Sequence, residues 1–122
     1  MDGRRFPASD KPRNSAPNSV AAGLKVKDYF RIASIYYKNW DDDYAHRLAQ
    51  RFGLEENKRI NKLSKGMLSM VTIVVALASR APITLLDEPV AGLDVVAREL
   101  FYKLLLEDYA ETGRTFVVST HL

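Results

Sequence analysis

The stretch that decides the fold is Ile83-Thr84-Leu85-Leu86-Asp87-Glu88-Pro89, a short apolar run closed by two adjacent carboxylates. Such a run predicts a buried parallel strand. In an open α/β sheet, ligands bind beyond the carboxyl ends of the strands, where Asp87 and Glu88 would stand. Neighbouring strand residues point to opposite sides, so one carboxylate could hold a hydrated Mg²⁺ while the other orients or deprotonates a water. The alternative is an ordinary acidic strand end.

The residues after this strand predict a βαβ unit. Val95 to Tyr109 has apolar residues at helical spacing, Thr112-Gly113 suits a turn, and Thr115 to Ser119 is rich in β-branched residues. Two strands joined by a helix imply a parallel sheet with a right-handed crossover. The residues expected on the apolar face of the helix are Val96, Leu100, Leu104 and Leu105.

Two further polar residues fall near the strand ends. Asp94, in Ala91-Gly92-Leu93-Asp94, could simply cap the helix that begins at Val95. His121 follows the second strand, so the βαβ topology would bring it to the sheet edge that carries Asp87 and Glu88. A structural histidine is the alternative for His121.

Upstream of the first strand, Met67 to Ala78 is apolar nearly all round, which predicts a helix buried on most sides. Ser64 is a plausible N-cap for it, and Gly66 would let backbone approach a ligand closely. A helix N-terminus attracts phosphate through its free amides and positive dipole end. A plain capped helix is the alternative.

Residues 24–60 are predicted to form two helices, and residues 1–23, with three prolines among polar residues, a disordered tail. An aspartate of the run Asp41 to Asp43 can cap the second helix, and Gly53 suits its end. We expect most of the regularly spaced apolar and aromatic residues to be core: Val26, Tyr29, Phe30, Ala33, Tyr36, Tyr37, Tyr44, Leu48 and Phe52.

Composition narrows the classes of function. The 122 residues are 47% hydrophobic and 27% charged, the balance of a globular protein. The absence of cysteine excludes a disulfide scaffold, a thiolate nucleophile and a zinc–cysteine site. A net charge of +3 gives no strong reason to expect a nucleic-acid partner. No run approaches the ~20 apolar residues that span a bilayer.

Taken in order, these motifs resemble the ATP-binding cassette (ABC) ATPase family. Leu63-Ser64-Lys65-Gly66-Met67 is similar to the signature motif, and Ile83 to Glu88 to the Walker B strand with its catalytic glutamate. Ala91 to Asp94 resembles the D-loop and His121 the switch histidine of the H-loop. The resemblance covers residues 24–122. It implies an α/β fold, with an incomplete P-loop NTPase-like parallel sheet core at 61–122 and a small helical subdomain at 24–60.

The resemblance also implies a role for each site residue. Ser64 and Gly66 would bind, in trans, the γ-phosphate of ATP held by a second ABC ATPase subunit. Asp87 would hold Mg²⁺ through water, Glu88 would be the catalytic base or orient water, and His121 would stabilise the γ-phosphate. Asp94 would contact the second subunit. The helical subdomain would dock on a transmembrane permease, which places the protein in the cytoplasm, on the inner face of the membrane.

The sequence departs from the family pattern in two ways. Lys65 and Met67 replace a glycine and the glutamine of the signature; Lys65 adds a positive charge near the expected triphosphate. The phosphate-loop pattern G-x-x-x-x-G-K-[ST] does not occur, nor does a counterpart of the Q-loop glutamine.

These departures predict part of an ABC transporter subunit, truncated before Walker A, inactive alone and poorly folded in isolation. The alternative is a non-hydrolysing partner or regulatory fragment that pairs with a complete cassette. A chromosome-maintenance or repair ATPase shares the motif order, but the chain has no coiled-coil heptads.

Overall fold

The computed structural model describes residues 23–120. The predicted tail and His121 therefore lie outside the described residues, apart from Gly23. The elements in chain order are α1 (Val26–Tyr36), α2 (Asp42–Phe52), a 3-10 turn (Ile60–Lys62), α3 (Lys65–Ala78), β1 (Ile83–Asp87), α4 (Val95–Thr112) and β2 (Thr115–Ser119).

The two strands pair in parallel, which confirms the predicted βαβ unit. Ile83 lies opposite Thr115 at one end of the ladder and Asp87 opposite Ser119 at the other. Helix α4 makes the crossover between them. The sheet of the described region therefore brings the carboxyl ends of both strands to one edge.

Local capping defines the second helix of the pair at 24–60. Asp41 is the N-cap of α2, and its side chain accepts a hydrogen bond of 3.1 Å from the backbone N–H of Tyr44. Gly53 ends the helix in the left-handed conformation, with φ 71°. Both features confirm what the sequence predicts for this segment.

One continuous core joins the helices to the sheet. Helix α3 lies at its centre and packs against α1, α2, α4 and β1. The buried apolar side chains of this core are Val26, Phe30, Ala45, Leu48, Ala49, Leu54, Val71, Ile73, Val74, Leu77, Ala78, Leu86, Leu93, Ala97, Phe101 and Leu104.

The expected aromatic stripe on α1 is only partly buried. Phe30 is fully packed, but Tyr29 and Tyr36 are 44% and 79% exposed, so the prediction of core positions is wrong for both. The reason is that the rest of the structure covers only a narrow strip of α1. Only the narrow face of α1 that carries Val26, Phe30 and Ala33 is buried.

The strand β1 is also less buried than its sequence predicts. Thr84 and Leu86 are buried, but Ile83 and Leu85 on the other face are 65% and 74% exposed. In the described region α3 packs on one side of the strand, and the opposite side has no comparable cover. Helix α4 differs similarly: Val96 is exposed, and its neighbour Ala97 is buried instead.

Candidate strand-end site

Asp87 and Glu88 stand where the sequence places them, at the carboxyl end of β1. Asp87 is the last residue of the strand, opposite Ser119. The backbone N–H of Glu88 donates to the Ser119 carbonyl at 2.7 Å, so the chain stays attached to β2 one residue beyond the ladder. Both carboxylate residues are solvent-exposed. His121 lies outside the described residues, and its convergence with this pair stays a prediction.

Glu88 adopts a conformation that is unusual for its type. Its φ is +46°, in the left-handed region that costs a residue with a Cβ about 1–2 kcal/mol. Strain of this kind persists only where the surroundings hold it, and it clusters at functional sites. The carbonyl of Glu88 accepts from the N–H of Ala91 at 3.2 Å, which closes the turn after the strand. The backbone on both sides of Glu88 is thus fixed.

The turn then leads into α4 through Asp94. The Asp94 carboxylate accepts a 2.8 Å hydrogen bond from the N–H of Ala97, so the N-cap predicted for Asp94 is confirmed. The buried Leu93 donates its N–H to the Val90 carbonyl at 3.0 Å. We refer to residues 88–94 as the connecting turn.

Ser64 begins α3 as predicted. Its hydroxyl accepts from the N–H of Met67 at 3.1 Å, and its carbonyl accepts from Leu68 at 2.9 Å. Ser64 and Lys65 are exposed. The first turn of any helix has backbone N–H groups without partners in the helix, and its dipole is positive at this end. The start of α3 is therefore suited to an anion such as a phosphate.

The start of α3 and the connecting turn are packed backbone to backbone. A Cβ on Gly66 would lie 2.5 Å from the Gly92 carbonyl oxygen, and one on Gly92 would lie 2.9 Å from the Gly66 nitrogen. One helical turn further along α3, the Ser69 hydroxyl donates to the Ala91 carbonyl at 2.6 Å. The structure thus brings the Ser64–Gly66 segment against the turn that runs from Glu88 to Asp94.

This packing gives Gly66 a role that sequence reasoning missed. The sequence suggests that Gly66 leaves room for a ligand. In the structure, the room left by its missing side chain is taken by Gly92. The available signal was that both segments carry a glycine, but the sequence does not show that the two glycines meet.

A buried ion pair was also missed. Asp108 on α4 and Arg114 before β2 form two hydrogen bonds, of 2.7 and 2.9 Å, and both side chains are almost completely buried. Arg114 also donates to the Leu77 carbonyl at 2.6 Å, and Tyr44 donates its hydroxyl to Asp108 at 3.0 Å. The signal was an aspartate on the face of α4 that carries Phe101 and Leu104.

Arg80 extends this cluster to the start of α2. Its guanidinium donates to the Asp41 carboxylate at 2.9 Å and lies 4.1 Å from the centre of the Tyr44 ring. Arg80 is the other residue of the described region, besides Glu88, that has a positive φ without being glycine. The ion network, defined as Asp41, Tyr44, Arg80, Asp108 and Arg114, ties α2 to α4 and β2.

The network shifts the ionisation of two of its members. Burial raises the pKa of the Tyr44 hydroxyl, and the adjacent Asp108 carboxylate raises it further. Burial also raises the pKa of Asp41, but the Tyr44 N–H and the Arg80 guanidinium outweigh that effect, so the pKa of Asp41 is lowered overall. The network therefore widens the pH range over which Tyr44 stays neutral and Asp41 stays charged.

A groove between α1 and α2 contains the one described histidine. The groove has a volume of about 490 Å³, and its lining includes Lys27, Arg31, Asp42, His46 and Glu56. His46 contacts Glu56 through Nδ1 at 2.7 Å and Asp42 through Nε2 at 3.1 Å. These carboxylates, Glu56 first, outweigh partial burial and raise the pKa of His46.

Residues 23–120 contain no group of three or more histidine or carboxylate side chains that could hold a metal ion. A protein-bound Mg²⁺ with nucleotide phosphates needs only one or two carboxylates and keeps several waters. The exposed carboxylate of Asp87 fits that requirement. None of the described helices is both long enough and apolar enough to cross a bilayer.

Comparison with known proteins places the chain in a family. The model described as "AAA domain, putative AbiEii toxin, Type IV TA system" matches residues 4–122. The chain belongs to this AAA-domain family. It is also a partial homologue of ABC transporter ATP-binding cassettes, as the following relatives show, and the resemblance noted in its motifs is thereby confirmed.

Two curated relatives of the chain are ABC proteins. The chain is 38% identical over 102 residues to the "Putative ABC transporter ATP-binding protein AlbC" of Bacillus subtilis strain 168, covering 81% of this chain and 42% of AlbC. It is 32% identical over 112 residues to the taurine import ATP-binding protein TauB of Escherichia coli K12, covering 90% of this chain and 41% of TauB. The cassette homologue thus spans about two fifths of the length of these relatives.

Solved structures agree. An ATP-binding subunit of an ABC transporter superimposes with a TM-score of 0.71 at 28% identity, over 83% of this chain and 44% of that one. The bacterial cassette MJ0796, solved as a dimer, gives 0.68 at 30% identity, over 81% and 47%. The cassette homologue is therefore an α/β chain with the fold of part of an ABC ATPase.

Proposed function

We propose that the chain is part of an ABC transporter ATP-binding subunit and supplies half of each composite ATP site that forms with a second ABC ATPase subunit. The observation that carries this proposal is the packing of Gly66 on Gly92, which holds the start of α3 against the turn between Glu88 and Asp94. Two segments suited to phosphate and to water chemistry are thereby fixed to each other.

Each site residue is assigned the role that the resemblance to ABC ATPases implies. The exposed hydroxyl of Ser64 and the first-turn amides of α3 bind the γ-phosphate of ATP on the second subunit. Asp87, at the strand end, holds Mg²⁺ through water. Glu88 orients or deprotonates the attacking water, and hydrogen bonds on both sides of it fix its backbone. His121 stabilises the γ-phosphate, and Asp94, besides capping α4, contacts the second subunit.

Mg²⁺, when bound, neutralises charge that develops on the phosphates. The chain's own contribution is positioning. Donors and carboxylates held in place before the reaction act more strongly than mobile ones, since little reorganisation is needed as charge develops. The rigid backbone contact between α3 and the connecting turn meets that requirement.

The pair α1–α2 is proposed to be the helical subdomain, residues 24–60, that docks on a transmembrane permease. Exposed apolar side chains on α1, among them Tyr29, Ile32, Ile35 and Tyr36, support a protein contact there. Through that contact the chain would sit on the cytoplasmic face of the membrane. ATP hydrolysis would thereby be coupled to transport.

Phosphate release by the purified chain tests whether the chain needs a second subunit to hydrolyse ATP. We expect no steady-state release from the chain alone with ATP and Mg²⁺, because the sequence has no phosphate-loop motif to position the nucleotide. Release by the pure chain that Glu88→Gln abolishes would overturn the proposal and identify an autonomous ATPase.

The second candidate is a non-hydrolysing partner that offers Ser64 and Gly66 to a complete cassette. The missing phosphate-loop pattern is the observation that favours it. Adding the chain to purified AlbC separates the two candidates. Phosphate release that Glu88→Gln in the chain reduces supports a catalytic role. Release that is indifferent to Glu88→Gln but sensitive to Ser64→Asp, which keeps an N-cap side chain and repels the γ-phosphate, supports the partner role.

A further inference from the structure

The second turn of α3 makes a polar contact that has no part in the roles proposed for the site residues. Ser69 is half-buried, and its hydroxyl donates to the Ala91 carbonyl at 2.6 Å, across to the connecting turn. Ser69 lies three residues after Gly66, so both residues are on the same face of the helix. The turn is thus held to α3 at two points, by glycine packing and by a hydroxyl.

Ala91 connects the Ser69 hydroxyl to Glu88. Its carbonyl accepts from Ser69, and its N–H donates to the Glu88 carbonyl at 3.2 Å. Glu88 itself has a φ of +46°, a conformation that its neighbours must maintain. A short path of two hydrogen bonds therefore leads from the Ser69 side chain to the strained backbone of Glu88.

We infer that Ser69 is a positioning residue of the proposed ATP site, which fixes Glu88 and the connecting turn relative to the start of α3. This inference rests on the proposed function for its catalytic meaning, but not for the contact itself. Without the hydroxyl, the Ala91 carbonyl loses its donor on α3. The glycine packing then holds the turn to the start of α3 alone, and the geometry of the composite site is less tightly fixed.

Thr72 offers a matched control on the same helix. Its hydroxyl also donates to a carbonyl, that of Leu68 at 3.2 Å, but within α3 itself. Thr72→Val and Ser69→Ala each remove one hydroxyl from α3, and only Ser69→Ala removes a link to the connecting turn. Ser69→Thr keeps the hydroxyl and should restore the link.

The first arm of the test is amide hydrogen exchange on the 122-residue chain. The N–H of the buried Leu93, bonded to Val90, reports on the turn. We expect Ser69→Ala to speed its exchange by roughly fivefold, since one hydrogen bond is worth about 1 kcal/mol. Thr72→Val should leave that rate unchanged, and Ser69→Thr should restore it. Equal rates in Ser69→Ala and Thr72→Val would overturn the inference whatever the protein does.

The second arm measures the affinity of the chain for purified AlbC with Mg²⁺ and a slowly hydrolysed ATP analogue. Ser69→Ala should weaken the nucleotide-dependent affinity by about tenfold, and Ser69→Thr should restore it. If Ser69→Ala speeds the exchange of the Leu93 amide but leaves the affinity for AlbC unchanged, the positioning role is overturned. The Ser69–Ala91 hydrogen bond is then a structural contact only. If the wild-type chain shows no nucleotide-dependent affinity, the proposed function fails and the positioning role fails with it, while the exchange arm still decides the contact.

Discussion

Gly92 shows how much of this site depends on a single absent side chain. Its φ is +75°, and its position against Gly66 leaves no space for a Cβ. Gly53 and Gly113 also have positive φ, but nothing lies within 4 Å of a Cβ built on either. The chain therefore contains glycines that share one backbone requirement and differ in packing.

This difference gives a prediction for Gly92→Ala. The variant should lose about 1–2 kcal/mol from the left-handed conformation and a further 1–3 kcal/mol from the clash with Gly66. Gly113→Ala should lose only the first amount. The measurement is the urea midpoint, read from the fluorescence of the single tryptophan, Trp40. Equal losses of stability in the two variants would show that Gly92 and Gly66 are not packed closely enough for a Cβ to clash.

Among the elements, the ion network is the polar link between the helical pair and the sheet. It runs from the N-cap of α2 through Arg80 to α4 and the start of β2. Replacing both members of a buried ion pair by apolar residues is often tolerated, whereas removing one partner leaves an uncompensated charge. Asp108, whose side chain is fully buried, is the member whose loss should matter most.

We predict a graded series of stabilities across the network. Asp108→Asn should cost about 3–5 kcal/mol because Arg114 stays buried without its counter-ion. Tyr44→Phe should cost about 1 kcal/mol, one hydrogen bond. Tyr109→Phe, on the exposed side of α4, should change little. Urea unfolding followed by Trp40 fluorescence measures all three, and a Tyr44→Phe loss no larger than that of Tyr109→Phe would contradict the network's role.

His46 gives the helical pair a predicted pH dependence. Its pKa is raised in the folded state by Glu56 and Asp42, against partial burial. A raised folded pKa stabilises the fold fully below the unfolded value of about 6.5, and this contribution is lost as the pH rises through the folded pKa. The basic Lys27 and Arg31 line the same groove from α1.

We expect the urea midpoint of the wild-type chain to fall between about pH 6 and pH 8 by more than that of His46→Gln. An NMR titration should place the folded pKa of His46 above its ordinary value. If the two proteins follow the same pH profile, the contacts of His46 with Glu56 and Asp42 do not contribute to stability.

For the whole molecule, the sequence predicts what depends on neighbouring residues and misses what depends on tertiary contact. The caps Asp41, Ser64 and Asp94 were predictable, because an N-cap acts within its own first turn. The Gly66–Gly92 contact was not, because no local pattern indicates which glycines will meet. The exposure of Tyr29 and Tyr36 was missed for the same reason: periodicity gives a face, but not the width that other elements cover.

The uneven cover of the sheet carries a prediction about the isolated chain. Ile83 and Leu85 leave one face of β1 exposed, and Val117 of β2 is also 48% exposed. A core covered on one side should unfold in a broad thermal transition with a low calorimetric enthalpy. A sharp transition with the roughly 60–80 kcal/mol expected of a 100-residue domain would contradict this prediction.

The central claim is that the start of α3, with Ser64 and Gly66, binds the γ-phosphate of a nucleotide held by another cassette. The most direct measurement is the dissociation constant of the chain and purified AlbC with Mg²⁺, compared between ATP, supplied as a slowly hydrolysed analogue, and ADP. Because Ser64 and Gly66 are proposed to bind the γ-phosphate, ATP should tighten the complex at least about tenfold over ADP. The same dissociation constant with ATP, with ADP and without nucleotide would contradict the claim.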